Sequence, residues 1–246
     1  MKTYLIAFAM CQSMFCSIPF PGNLWDDKGR DKMLLFLPLV GLEIGGIWAA
    51  LAWLTRLLML PSLVSGLILC VYPFLVTGFL HLDGFMDVTD AVKSCRDLDR
   101  RREILKDSHV GSFAVIAVVI LMLAEFSLFA SCGMDSDFRI LCLVPVVSRA
   151  CSALAVTCLP PMTTSQYANQ HKPKAHIWIF SALLSAAVAA GFAFCGKYGF
   201  ALIGCLAGYG LALARAYHNL QGMNGDISGY ALTIRELCAV AVYALL

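Results

Sequence analysis

Charge is what this sequence has least of: Asp, Glu, Lys and Arg make up 14% of its 246 residues, against 60% hydrophobic ones. A soluble domain carries about 25% charged residues, so this chain has too little polar surface to face water and must be solvated largely by lipid. The formal net charge is only +2, and there is no acidic tail and no basic tract of the kind that binds nucleic acid. No internal repeat or low-complexity linker is present. A single domain over residues 1–246 is the simplest organisation, and the echo usual in repeat-built transporters is missing. No CxxC occurs and the eleven cysteines are odd in number, which excludes an obvious zinc site and argues against a disulfide framework. Cys70, Cys142, Cys151, Cys195, Cys205 and Cys238 fall inside apolar runs, where free thiols pack as small hydrophobes.

What is there is a series of apolar runs, near 33–54, 57–80, 110–131, 139–159, 175–195, 198–217 and 229–246, each about the length that crosses a bilayer. The expected fold is all-α, a polytopic integral membrane helical bundle of about seven spans. Lys2 followed by TYLIAFAMCQSMFCSIPF has the outline of a signal peptide, but no small-x-small site follows, and IPFPG, Ile18 to Gly22, marks a helix end. The reading is a retained, short, partly inserted N-terminal helix. Lys28, Arg30 and Lys32 precede the first long span; Lys93, Arg96, Arg100, Arg101, Arg102 and Lys106 lie in 81–109; Lys172 and Lys174 lie in 160–174. The opposite loops hold Arg56, Arg139 and Lys197. The positive-inside rule therefore puts 1–32, 81–109, 160–174 and 218–228 on the cytoplasmic side of the cell (inner) membrane.

The scarce acids are not scattered. HLDGFMDVTD places Asp83, Asp87 and Asp90 at i, i+4 and i+7, one face of a helix. Three carboxylates this close raise one another's pKa unless a cation sits among them, and an all-oxygen set suits Mg²⁺ or Mn²⁺, which keeps waters and bridges to substrate phosphates. Gly84 would let a phosphate approach the backbone, and His81 is placed to donate a hydrogen bond to a metal-binding group or to act as a general base. The competing reading is a solvated helix start whose acids pair with the basic residues downstream. Lys106, Asp107 and His109 follow in REILKDSHVG, within a basic run that either anchors to anionic lipid or holds a pyrophosphate. NGDISG brings Asn224, Gly225 and Asp226 to the same face as further metal or substrate contacts. Within the spans, Glu43, Glu125, Arg149 and Glu236 are costly at the bilayer centre, about 2.5–3.5 kcal/mol each if unpaired. Arg149 either binds an anion or pairs with Glu125 or Glu43. Arg215 is read as snorkelling, and His171, His176 and His218 show no ligand spacing.

On these motifs the chain resembles the cobalamin synthase family, adenosylcobinamide-GDP ribazoletransferase, along nearly its whole length. The family's HLDGxxDxxDG is similar to HLDGFMDVTDA, its LEIMKDSRxG to REILKDSHVG, its fPLxGLxxG to FLPLVGLEIG, its SR to PVVSRAC, its GGxTGDxxGA to QGMNGDISGY and its tRxPxP to CSIPFP. Departures are Ala91 for glycine, Ser17 and His109 for arginine, Gln221, Asn224 and Tyr230 for Gly, Thr and Ala, and Thr233 for an acid. The resemblance implies that adenosylcobinamide-GDP and α-ribazole, or its 5′-phosphate, combine to give adenosylcobalamin or its phosphate and GMP. It further implies Asp83, Asp87 and Asp90 on Mg²⁺, His81 or Asp107 as the base, Lys106 or Arg149 on phosphate oxygens, and Gly84, Asn224, Gly225 and Asp226 at the substrate. It leaves room for association with other cobalamin-assembly enzymes and with membrane lipid. A CDP-alcohol phosphatidyltransferase is the competing enzyme, though the AR its pattern requires after DGFM is absent; a cation-coupled transporter is the competing non-enzyme.

Overall fold

The computed structural model describes residues 2–20, 26–133, 135–162 and 173–246, without the side chains of Asp27 and Lys28. Pro21, Gly22, His171, Lys172 and the Lys28 side chain, all invoked above, lie outside the described residues. The helices follow in the order α1 (Lys2–Phe15), α2 (Asp27–Met33), α3 (Leu37–Leu57), α4 (Ser62–Val76), α5 (Leu80–Lys93), α6 (Leu98–Ile104), α7 (Ser112–Ser131), α8 (Ile140–Cys158), α9 (Ala175–Cys195), α10 (Phe200–Leu220) and α11 (Gly225–Ala244). Among the described residues there is no strand. The extended pairing seen there is a parallel bridge between Pro161 and Met223, which fastens the end of α8 to the turn between α10 and α11.

The protein is a multi-pass helical bundle. Gly29–Leu57, Ser112–Ser131, Ile140–Cys158, Ala175–Leu220 and Gly225–Ala244 are long and apolar enough to cross a membrane, which makes five, or six if the bent pair α4 and α5 counts as one span. The expected seven are not all separate. The run at 57–80 yields an α4 of 15 residues, about 22 Å long, after which the chain bends by 88° into α5. The runs at 175–195 and 198–217 fall in one stretch, divided where Gly196 takes φ +55. Outer faces stay apolar: Val115, Ile116, Val119, Ile120 and Leu123 of α7 are all exposed, a surface suited to lipid.

Close backbone approach builds the interior. α8 is the most buried span, and α3 crosses it at Gly41 and Gly45 of the FLPLVGLEIG motif. A Cβ on Gly41 would lie 2.5 Å from the Pro145 carbonyl oxygen, so only a small residue lets these helices meet. Pro73 inside α4 has no N–H for the carbonyl of Leu69; the buried Trp48 indole of α3 donates to that oxygen at 2.9 Å. The N-terminal helix buries Ala7, Met10, Cys11, Gln12 and Phe15. Its exit is tied to α4: the Ser17 amide donates to Val76 O at 2.7 Å, and its hydroxyl reaches the carbonyls of Leu75 and Val76, groups that a helix end otherwise leaves bare. The bend that follows uses Gly78 at φ +59 and Phe79 at φ +61. The left-handed region is easy for glycine and costs phenylalanine about 1–2 kcal/mol, strain accepted where α5 is aimed across the bundle.

Candidate active site on α5 and α11

Leaving α4 at nearly a right angle, α5 lies outside the five spanning stretches and against the start of α11. The crossing is tight because both helices present glycine. A Cβ on Gly84 would lie 2.8 Å from the Asp226 carbonyl oxygen, and one on Gly229 would lie 3.0 Å from that of His81. This corrects the reading of Gly84: the space its missing side chain leaves is filled by the backbone of Asp226, not kept for a phosphate. The result is that Asp226 is set directly beside the acids of α5. Asn224 caps α11, accepting from the Ile227 amide at 2.9 Å and donating through Nδ2 to Asp226 Oδ2 at 2.6 Å, so the NGD turn holds its carboxylate in place.

The three acids of α5 share a face but not an environment. Asp83 and Asp87 open onto a surface cleft of about 640 Å³, together with Asp90, Lys106 and Asp107. Burial, and then the negative charges of Asp83, Asp226 and Asp90, push the Asp87 carboxyl up from 3.8 to about 7. Asp90 is engaged differently: its oxygens accept from the Gly111 amide at 2.7 Å and the Ala114 amide at 2.9 Å. It therefore caps the first turn of α7, a favourable place for a carboxylate. Among the described residues no three His, Cys, Asp or Glu side chains converge closely enough to enclose a metal ion by themselves. The arrangement instead fits an ion that takes one or two carboxylates and completes its shell with water and substrate phosphates, which is the habit of Mg²⁺.

The basic segment also divides. Arg101 Nη1 donates to Asn219 Oδ1 at 2.8 Å, while Arg102 donates to the carbonyls of Leu220 at 3.0 Å and Gln221 at 2.7 Å. These two cations close the C-terminus of α10 and are not free to hold a pyrophosphate. Arg100 pairs with Glu103 at 2.6 Å on the exposed surface. Lys106 is left facing the cleft. Asp107, a candidate base, is bound to His109 at 2.6 Å; that contact holds its carboxyl below the ordinary value and raises the imidazole of His109 above 6.5.

A second space of about 700 Å³ lies on the other side of Asp83, which lines both. His81, Arg149, Gly225 and Asp226 line it with a set of apolar side chains. His81 stacks on Phe15 with ring centres 6.4 Å apart, and its Nε2 is buried without a partner. Arg149 is 4% exposed. Neither Glu43 nor Glu125 is within 4.0 Å of it, so the expected structural ion pair does not form, and its Nε also lacks a partner.

Three features of this neighbourhood were not read from sequence. Arg235, 1% exposed, donates to Val144 O at 2.8 Å and to Cys205 Sγ at 3.0 Å; a cation inside an apolar run was the available signal. The hydroxyls of Ser152 and Ser228 bond to each other at 2.5 Å between α8 and α11, a long-range pair with no local signature. Gly41 accommodates Arg149, whose Cδ would lie 3.0 Å from a Cβ there, linking the first-span motif to the arginine of the SR motif.

The chain matches the family described as cobalamin-5-phosphate synthase over residues 7–244. It is 32% identical to the adenosylcobinamide-GDP ribazoletransferase of Clostridium perfringens (strain 13 / Type A), covering 100% of each chain. Enzymes of that name from Clostridium botulinum (strain Alaska E43 / Type E3) and Lachnoclostridium phytofermentans are each 30% identical, the first covering 96% of both chains and the second 92% of this one and 88% of its own. No solved structure matches.

Proposed function

Because the chain belongs to the cobalamin-5-phosphate synthase family, we propose that it joins adenosylcobinamide-GDP to α-ribazole or its 5′-phosphate, releasing GMP. The observation that carries this reading is the family match over 7–244, together with acids from α5 and α11 meeting beside Lys106 and two adjoining spaces. The match sets aside the phosphatidyltransferase and transporter alternatives.

A hydroxyl oxygen of the ribose bonds to the phosphorus that carries the cobinamide, the bond from that phosphorus to the bridging oxygen breaks, and GMP departs with the bridging oxygen. His81 receives the hydroxyl proton: it lines the second space together with Asp83, whereas Asp107 is occupied by His109. Asp83 and Asp87 would hold Mg²⁺ on the diphosphate, with Asp226 across the helix crossing adding negative charge beside them. There the ion would supply charge neutralisation as the diphosphate opens. Lys106 steadies phosphate oxygens from the far wall of the cleft. The protein does little covalent work and mainly aligns nucleophile and leaving group. Basic residues in 81–109, with Lys174, support an active face on the cytoplasmic side of the inner membrane.

The test is direct. Membranes containing the protein, given adenosylcobinamide-GDP, α-ribazole and Mg²⁺, should form a cobalamin and GMP in equal amounts, and EDTA should stop both. If neither product forms, the reading fails.

A further inference from the structure

The 700 Å³ space has the character of a binding chamber whose ligand can be specified more closely. Met14 and Phe15 of α1, Leu37 of α3, Val156 of α8 and Leu232 of α11 supply apolar walls. The serine hydroxyls in it, Ser152 and Ser228, bond to each other, which leaves one of their two O–H donors for another acceptor. α8 and α11 run antiparallel through that pair and through the Arg235–Val144 bond, so Arg149 lies about one turn, or roughly 5 Å, deeper than the serines, while Asp226 lies on their outer side. At the inner end of an apolar chamber there is thus a guanidinium with no carboxylate within 4.0 Å among the described residues and an Nε without an acceptor. Arg149 shares a small adjoining cavity with Arg235 and Glu236, two cations to one acid, and an anion brought in by a ligand would offset the excess positive charge.

The inference rests on the proposed reaction, in which the donor carries a diphosphate and the acceptor is α-ribazole or its 5′-phosphate, and the surroundings separate the two. The donor's diphosphate belongs with the acids and Lys106 of the surface cleft, which opens to solvent where a corrinoid too large for either space can remain. The chamber suits the smaller substrate. Guanine presents hydrogen-bonding groups around its edge and would leave them facing methionine and leucine, at a cost; a dimethylbenzimidazole is flat and apolar apart from its ring nitrogens. We infer that this chamber is the acceptor subsite, and that Arg149 is the specificity-determining residue that reads the phosphate on the acceptor nucleotide. Gly41 supports the role, since it leaves room for the arginine stem where α3 meets α8. Asp83, shared by both spaces, marks where the acceptor hydroxyl meets the donor phosphorus.

The experiment is steady-state kinetics on the full-length protein in lipid nanodiscs, with α-ribazole and α-ribazole 5′-phosphate compared as acceptors. Wild type should favour the phosphate. Arg149→Gln should raise the KM for the phosphorylated acceptor about tenfold or more, as expected for losing a charge-assisted contact, abolish the preference, and leave the KM for adenosylcobinamide-GDP unchanged. Arg149→Lys should restore part of the preference. Val156→Trp, which fills the apolar wall without touching the charge, should raise the KM for both acceptors and not for the donor, and it decides the matter if the glutamine variant does not accumulate. A preference retained in active Arg149→Gln, a raised donor KM, or an unchanged acceptor KM in Val156→Trp overturns this inference alone. Wild-type protein inactive with both acceptors overturns the proposed reaction and the inference with it.

Discussion

Asp87 feels Asp83, Asp226 and Asp90 at once, and burial among those charges is what lifts its carboxyl to about 7. A residue in that position gains most from a bound cation and loses least when neutralised without one. Asp87→Asn is therefore expected to lower kcat by about 100-fold or more, in the range seen for removing one preorganised charged group, while thermal unfolding in EDTA occurs at an equal or higher temperature. Unimpaired turnover would remove Asp87 from the site. The i, i+4 spacing made the shared face of Asp83 and Asp87 legible in the sequence. The destination of Asp90 was not, because the amides it accepts from, Gly111 and Ala114, lie 21 and 24 residues further on. Outside the bundle, Asp107 raises the His109 pKa. The pair contributes fully below the unfolded histidine value near 6.5 and loses its contribution as pH rises through the folded one. NMR titration of labelled histidine should place His109 above the ordinary value in wild type and return it there in Asp107→Asn; an unmoved titration contradicts the pairing.

The positions and lengths of most helices follow from apolar runs, so the elements were largely legible; the ways they meet were not. Hydropathy does not distinguish a glycine reserved for phosphate from one reserved for a neighbouring helix, and Gly84 proved to be the second kind. Gly84→Ala forces a Cβ against the backbone of Asp226, which cannot swing away as a side chain would. It is expected to destabilise the protein by about 1–3 kcal/mol, seen as a lowered unfolding temperature in detergent, and to reduce kcat as Asp226 shifts relative to Asp83. A stable, fully active Gly84→Ala protein would mean that α5 and α11 do not cross as described. The basic run illustrates the same limit. Composition suggested lipid or pyrophosphate, whereas Arg101 and Arg102 reach the C-terminus of α10 more than a hundred residues away, and among the described residues Lys106 is the cation that lines the cleft.

For the whole molecule, the bundle places acids, Lys106 and both spaces at one end, with the apolar faces of α7 and its neighbours turned outward. The orientation proposed from the basic loops can be read independently of catalysis. Cys95 and Cys158 are exposed at the site end, so a membrane-impermeant maleimide should label them in inverted vesicles and not in intact cells. The reverse pattern would place the site on the opposite face. The central claim is that Asp83 and Asp87 act together through a divalent ion on the donor diphosphate. Release of GMP from adenosylcobinamide-GDP in the presence of acceptor, measured against Mg²⁺ concentration for wild type and for the Asp83→Asn/Asp87→Asn protein, tests it most directly while sparing the cap that Asp90 provides. The account predicts saturable Mg²⁺ dependence in wild type and no GMP from the double variant at any Mg²⁺ concentration; wild-type rates of release from a folded double variant would contradict it.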